Sequence, residues 1–421
     1  MAARALPATE PPVKERRGLT APGRSLAAMR HRDFRVLLLS TMALQIGSWV
    51  QTIGQGWLVK EDLHGSATDL ATVALLRGAS LVLLSPFGGY LAGRFERRKQ
   101  LVGYTVGSAC IATLLAVLVA TGRIEIWMVY GTALVAGALD ALAGPIRSLL
   151  VFDTVEPRDL TNAVALNNLA GNSMRVIGPA IGGALIGAVG TQGTFQMQAA
   201  CLVVAAILTW KLAPSHPELS GREGVFSSMV SGMAYVWRDR RMLVIVAMAI
   251  LPSVLVYPYV TFLPVFAKDV LHSGATGYGY LAAAVGLGSL LGGAVVASTS
   301  GSARMGQRML WACLLYCVSV AGFTFMGNLW FAVGALAVAG IFHSIYSALN
   351  GAMMQIKADP EYRSRVVSLQ TMTWGLTPFA GLLMGAMIDH WGAPHVVFGW
   401  MAVAAAATLL IIVTSREMRR V

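Results

Sequence analysis

The sequence predicts an all-α integral membrane protein: twelve transmembrane helices in two pseudo-symmetric six-helix bundles. Three observations predict it. Of 421 residues, 56% are hydrophobic and only 12% charged, with a mean hydropathy of +0.64. A soluble domain carries about a quarter charged residues, so too little polar surface remains to cover a globule in water. Apolar stretches of the length that crosses a bilayer as a helix, about 20 residues, recur along the whole chain. The second half also repeats the first at a constant offset, which marks a duplication.

The twelve stretches begin near Phe34, Leu70, Leu101, Trp127, Asn162, Phe195, Met242, Gly277, Arg308, Trp330, Arg365 and Val396. Short polar breaks separate them, among them KEDLHGSATD, GRFERRKQ, TGRIE, DTVEPRD, VGTQG, KDVLHSG, STSGSARMG, KADPEYRSR and DHWGAPH. The expected organisation is a mostly disordered tail over 1–33, an amino-terminal six-helix bundle over 34–212 and a linker over 213–241. A carboxy-terminal bundle over 242–414 and a short tail over 415–421 complete it. Residues 1–33 are rich in Pro, Ala and Arg and lack the apolar centre of a cleavable signal peptide.

Lys and Arg are retained on the cytoplasmic side of a membrane. Placing the amino terminus there puts about 27 basic residues inside and about three outside (Lys60, Arg123 and Lys268), so both termini are expected in the cytoplasm. Arg77 and Arg175 remain within spans. The formal net charge of +12 does not point to nucleic acid, because the basic residues lie between apolar runs rather than on one solvated face. Cys110, Cys201, Cys313 and Cys317 all fall in apolar runs, without ligand spacing, and read as packing residues.

The internal repeat aligns VEPRDLTNAVALNN with ADPEYRSRVVSLQT, setting Glu156 on Asp359 and Pro157 on Pro360. The same register sets Gly131 on Gly334, Gly137 on Gly340, Gly178 on Gly381 and Gly182 on Gly385. It also sets Asp140 on His343.

The loop GGYLAGRFERRK, with Gly89, Leu91, Ala92, Arg94, Arg97 and Arg98, resembles the signature loop of the major facilitator superfamily, a gating element in that fold. Gly93 stands where the family usually has Asp. The opening HRDFRVLLLSTMALQIGSWVQTIGQGWLV, the Pro145-Ile146-Arg147 run and NAVALNN followed by RVIGPAIGG resemble the branch of transmembrane secretion effectors, which contains siderophore exporters and macrolide efflux proteins. The glycine-proline segment RVIGPAIGG is similar to one found mainly in exporters. The resemblance implies that the first, second, fourth and fifth spans of each half line a central cavity while the third and sixth face lipid.

On that architecture Asp140 and His343 occupy related mid-depth positions on spans four and ten, and are the candidate proton-coupling residues. An ionised side chain at the bilayer centre costs at least about 2.5 kcal/mol, so it is expected to be paired and to face the cavity. Arg175, on the adjacent span, is the expected partner of Asp140, with Arg77 as the second. Two readings stay open: a coupling pair that opens on protonation, or a permanent pair that fixes packing. His343 likewise has a titrating reading and one as a neutral ring satisfied by Ser344, Ser347 or a carbonyl. Two guanidinium groups against one carboxylate also suit an anionic substrate group.

Gln45, Ser48, Trp49, Thr52 and Gln55 share one face of span one and, with Asn168 and Asn172, make a polar cavity wall. Tyr257, Tyr259, Phe262, Tyr346, Met353, Met354 and Trp374 make the opposite wall apolar. Such a cavity fits a bulky amphipathic molecule. Glycine pairs spaced by four, such as Gly178 with Gly182 and Gly183 with Gly187, allow close helix contact. VGLGSLLGG has the wrong spacing for a dinucleotide loop, and neither HExxH nor GxSxG occurs in the spans. The expectation is therefore a monomeric, proton-coupled exporter of small amphipathic molecules in the cell (inner) membrane. It is expected to have no cofactor, no metal, no nucleic-acid partner and no enzymatic activity. The alternatives are an importer or a lysophospholipid flippase on the same fold and, from a different class, a membrane-embedded enzyme or sensor.

Overall fold

The computed structural model describes residues 26–215, 240–298, 304–359 and 363–414. Most of the amino-terminal tail and of the linker, the carboxy-terminal tail and most of STSGSARMG lie outside the described residues, as does the centre of KADPEYRSR. What is described is helical from end to end, and no strand occurs among the described residues. The helices are α1 (Arg32–Trp57), α2 (Ala67–Ala92), α3 (Arg97–Ala120), α4 (Ile126–Asp153), α5 (Leu160–Trp210), α6 (Arg240–Leu251), α7 (Gly274–Ser298), α8 (Met305–Phe323), α9 (Leu329–Lys357), α10 (Arg363–Trp391) and α11 (Ala393–Thr414). Among the described residues nine segments are long and apolar enough to cross a membrane. One of these, Pro157–Trp210, holds two of the expected spans. The expected break VGTQG survives inside it as Gly190, at φ 70° and ψ −177°, where the helix changes direction. Only glycine takes such a φ without a Cβ penalty, which is why the turn needs no longer loop.

The repeat in the sequence is also a repeat in the backbone. Leu329 starts α9 203 positions after Ile126 starts α4, and Arg363 starts α10 203 positions after Leu160 starts α5. Asp140 and His343 each stand fourteen residues into their helices. At a rise of about 1.5 Å per residue that is about 20 Å from the start, near mid-depth.

Where backbone hydrogen bonding is interrupted, it is interrupted inside protein. After α6 the chain continues to Val270 through a π turn (Pro252–Val256), a 3-10 stretch (Tyr257–Phe262), a single α turn and a second π turn (Phe266–Val270). Pro252, Pro258 and Pro264 each lack a donor there, and Val256, Tyr259, Phe262 and Phe266 are fully buried. Irregular backbone is tolerated in a membrane protein only where neighbouring protein, rather than lipid, surrounds it. Pro179 and Pro378, by contrast, sit within continuous helices.

The two halves meet chiefly through α5 against α7 and α2 against α10. Glycine sets both contacts. A Cβ on Gly183 would lie 2.6 Å from the Gly279 Cα, and one on Gly385 would lie 2.9 Å from the Ala67 carbonyl oxygen. These contacts run from mid-depth to the ends that carry Lys60, His64, Lys268 and His272, called here the distal end. The opposite end carries Arg94, Arg97, Arg98 and Lys211 and is called the basic end.

Candidate functional site

Asp140 is paired, but not with Arg175. The Arg77 Nη2 donates to Asp140 Oδ2 at 2.8 Å and to Ser48 Oγ at 3.3 Å, tying α2 to α4 and α1. Gly137 brings these helices together: a Cβ there would lie 2.9 Å from the Arg77 Cα. Although Asp140 is in the middle of a membrane-length helix, its side chain is 44% exposed and Arg77 is 24% exposed. The pair therefore borders open space rather than being sealed in the core.

That space is a cavity of about 150 Å³ among α1, α2, α3, α4 and the second arm of α5. Gln45, Ser48 and Gln51 of α1, Arg77 of α2, Asp140 and Arg147 of α4 and Gln198 of α5 supply most of its polar lining. Tyr104, Thr105 and Ser108 of α3 line it too. This corrects the expectation that the third and sixth spans of this half face only lipid: α3 and the second arm of α5 each turn a polar stripe inward. Arg147, Gln51 and Gln198 are cavity residues that sequence reasoning missed. A signal for two of them is present, since Arg147 is seven residues from Asp140 and Gln51 three from Ser48, which keeps each pair on one helical face.

Arg175 does something else. Its Nη2 donates to the Tyr257 hydroxyl at 3.4 Å, and its guanidinium lies 5.8 Å from the centroid of the Trp49 ring. Tyr257 in turn packs its ring 5.4 Å from His343, and the Tyr316 ring lies 5.2 Å from the same imidazole. Trp49, Arg175, Tyr257 and His343 thus form a chain at mid-depth that crosses from one half to the other. Arg175 belongs to it because Gly286 lets α7 approach the backbone of α5 there.

His343 is buried, and it borders a second, much smaller cavity of about 20 Å³ with Tyr257, Tyr346, Ser347 and Asn350. Tyr346 lines this space but is committed: its hydroxyl donates to the Met248 carbonyl at 2.5 Å, and Asn350 Nδ2 donates to the Ile245 carbonyl at 3.0 Å. Both are struts between α9 and α6. Of the remaining expected cavity residues, Gln55 is buried and Trp49 half-buried against Gly178. Thr52 is exposed and donates to the Ser48 carbonyl. Asn168 and Asn172 are exposed on α5 and do not line the cavity of the amino-terminal half. The side chain of Trp374 lies outside the described residues.

The loop at the basic end acts as a clasp within the amino-terminal half. Arg97 Nη1 donates to both carboxylate oxygens of Asp153 at 2.8 Å, joining the start of α3 to the end of α4. Arg98 donates to the Leu212 carbonyl at 3.0 Å and lies 5.2 Å from the centroid of the Trp210 ring, reaching the end of α5. Arg94 lies over the ring of Tyr90, and Gly89 is half-buried on the last turns of α2. Glu96 is held by Lys99 and Arg98, and the Lys99 hydrogen bond keeps its carboxyl below the usual carboxylate range. These partners do not need the Asp that Gly93 replaces.

The distal end carries a cross-half set of charges. Lys60 pairs with Asp269 at 2.8 Å, and Lys268 pairs with Glu61 at 2.7 Å and donates to the Lys60 carbonyl at 3.2 Å. Asp389, at the end of α10, accepts from the backbone N–H of Ala67 and Thr68 at 2.7 and 3.0 Å and from the Thr68 hydroxyl at 2.6 Å. Those N–H groups begin α2, where the helix dipole favours an anion. Ser66 and Asp69 complete a capping box on the same turn. Each exposed pair contributes at most about 1 kcal/mol, but together they bias one closed arrangement of the halves. Lys60→Ala with Lys268→Ala should open the distal end severalfold more often, read as faster labelling of a cysteine placed at Thr276; an unchanged rate would remove these pairs from the closure.

The comparisons with known proteins agree with this architecture. The family model for transmembrane secretion effectors matches residues 23–420. The chain is 24% identical over 360 residues to the staphyloferrin A transporter of Staphylococcus aureus, covering 84% of this chain and 89% of that one. It is 26% identical over 408 residues to the multidrug efflux pump Tap of Mycobacterium tuberculosis, covering 91% and 93%. Over 341 residues it is 20% identical to macrolide efflux protein A of Streptococcus pyogenes, covering 78% and 84%. Among solved structures, a nucleoside transporter NupG mutant superposes with a TM-score of 0.73 at 14% identity, covering 90% of this chain and 99% of that one. A POT family transporter superposes at 0.71 with 13% identity, covering 92% and 97%. These structural likenesses speak for the fold alone. With the family match spanning nearly the whole sequence, the chain belongs to the transmembrane secretion effectors of the major facilitator superfamily and is a multi-pass transporter of a small molecule, not an enzyme.

Proposed function

We propose that the protein is a proton-coupled exporter of small amphipathic molecules, working by alternating access in the cell membrane as a monomer with both termini in the cytoplasm. The observation that carries this reading is the Arg77–Asp140 pair, placed at mid-depth and open to a polar cavity. A carboxylate that takes up a proton loses its charge and releases its guanidinium partner, so proton uptake changes how α2 and α4 hold each other. α2 also packs against α10 of the other half, where a Cβ on Gly78 would lie 2.6 Å from Pro378. A change at Asp140 is thereby passed to a contact between halves, which is what coupling requires. The named contacts between halves concentrate toward the distal end, which supports a form open at the basic, cytoplasmic end. Export of amphipathic cargo is supported by the efflux names of two relatives and by aromatic groups facing polar ones at mid-depth.

The test is uptake by inside-out vesicles of a macrolide or a fluorescent amphipathic dye. Acidifying the lumen should drive accumulation inside, and an uncoupler should abolish it. Accumulation only in right-side-out vesicles would make the protein an importer.

A further inference from the structure

The cavity of the amino-terminal half contains buried polar groups that the protein itself leaves unsatisfied. Arg147 Nε, Gln51 Nε2 and Gln198 Oε1 are all shut off from solvent and have no hydrogen-bond partner among the described residues, and all three residues line the same space. Gln51 and Gln198 are 4% and 3% exposed. A guanidinium keeps its proton in any protein environment, so Arg147 brings a permanent charge to this site. The charged groups facing Asp140 from the packed elements are Arg77 on α2 and Arg147 on its own helix; Tyr104 on α3 is titratable, and α1 and α5 present only neutral amides and hydroxyls. Two guanidinium groups therefore face one carboxylate, and Arg77 already takes that carboxylate. What is left over is one positive charge and two unused donors, Arg147 Nε and the Gln51 amide. Water satisfies donors but cannot balance a charge in a low-dielectric surround.

We propose that this cavity is a binding site for a monovalent anion of carboxylate size, held by Arg147 with Gln51 and drawing also on Arg77. The cavity, at about 150 Å³, has room for such a group together with water. Binding is stronger when Asp140 carries no charge, because the competing carboxylate is gone and Arg77 is released; this last point rests on the reading of Asp140 as the proton carrier. The anion is either free in solution or the carboxylate of a larger amphipathic molecule. A cargo carboxylate that binds best with Asp140 uncharged would travel with the proton, so a response to phenylbutyrate alone also predicts its accumulation in right-side-out rather than inside-out vesicles, against the export reading.

The experiment measures the thermal stability of purified protein at constant ionic strength with gluconate as the bulky reference anion. Bromide, formate, 4-phenylbutyrate and the neutral 4-phenylbutyramide are titrated in turn, since a ligand of the folded state raises its apparent stability. Stabilisation by formate or bromide assigns the site to free anions; stabilisation by phenylbutyrate alone, and not by its amide, assigns it to a cargo carboxylate. Arg147→Gln should weaken the response at least about tenfold, the factor expected on losing a charged hydrogen-bond donor. Gln51→Leu, which leaves every charge in place, should weaken it severalfold and serves if Arg147→Gln does not fold. Asp140→Asn should tighten it. No stabilisation by any of the four, or a response that Arg147→Gln and Gln51→Leu leave unchanged, overturns the proposal. Because the readout is binding, it stands or falls separately from vesicle transport, which Asp140→Asn should abolish even where the anion still binds.

Discussion

Asp140→Asn should reduce gradient-driven accumulation in inside-out vesicles to the level of vesicles lacking the protein, while exchange of labelled for unlabelled cargo without a gradient continues. An amide has nearly the same shape as a carboxylate but neither gains nor loses a proton in this pH range. The Arg77 side chain keeps a hydrogen-bond acceptor, and only the charge cycle is removed. Breaking a fully buried ion pair costs about 3 to 5 kcal/mol. Here the loss should be nearer 1 kcal/mol, because Asp140 is 44% exposed and water screens the pair. The substitution thus separates two readings of the same pair. If the pair only fixes packing, driven transport and exchange should fall together, in proportion to folded protein; if it couples protons to cargo, driven transport alone should disappear. Intact driven transport in Asp140→Asn would remove Asp140 from the mechanism. Arg77→Lys gives a companion measurement: it keeps the charge but loses the planar fork that serves Asp140 and Ser48 together.

Gly183→Val should block transport through geometry rather than charge. At Gly183 a Cβ would sit 2.6 Å from the Gly279 Cα, 2.9 Å from the Ala275 carbonyl oxygen and 3.0 Å from the Gly279 N. All three are backbone atoms and cannot rotate away, so α5 and α7 must separate. Overpacking of this kind costs about 1 to 3 kcal/mol, and the cost falls only on the state in which the two helices touch. A destabilisation of about 1.4 kcal/mol already shifts a two-state equilibrium tenfold, so the distal end should stay open for most of the time. Distances between spin labels on the distal ends of α5 and α7 should lengthen, and transport should fall at least tenfold. Gly187→Val is the control of intermediate effect, because a Cβ there meets the Thr276 hydroxyl, which can turn aside. Normal transport by the Gly183→Val protein would show that this contact is not required for closure.

The fold was almost entirely legible in the sequence. Too few charges to cover a globule require a bilayer around the chain, and a constant offset between halves requires two related bundles. The offset reappears in the backbone as the matching starts of α4 with α9 and α5 with α10. Gly190 was legible only as part of a break; that the break is one residue at φ 70° within an otherwise continuous helical segment is a matter of local packing.

The site was legible in part. Helical periodicity puts Asp140 near mid-depth, and the price of charge in hydrocarbon says that it must have a partner. Periodicity does not say which neighbouring helix supplies that partner. Arg175 and Arg77 stand at comparable depth, and only the approach of α2 to Gly137 gives Asp140 to Arg77, while the approach of α7 to the backbone of α5 turns Arg175 toward Tyr257. Arg147, Gln51 and Gln198 escaped for the same reason, since a cavity is defined by what several helices leave unfilled between them. Sequence by itself determined what lies at which depth and with what charge, because hydrophobicity and helical rise act along the chain. Which side chains meet was decided only by tertiary structure, because the rotation and closeness of each helix pair are set by where glycines admit a neighbouring backbone.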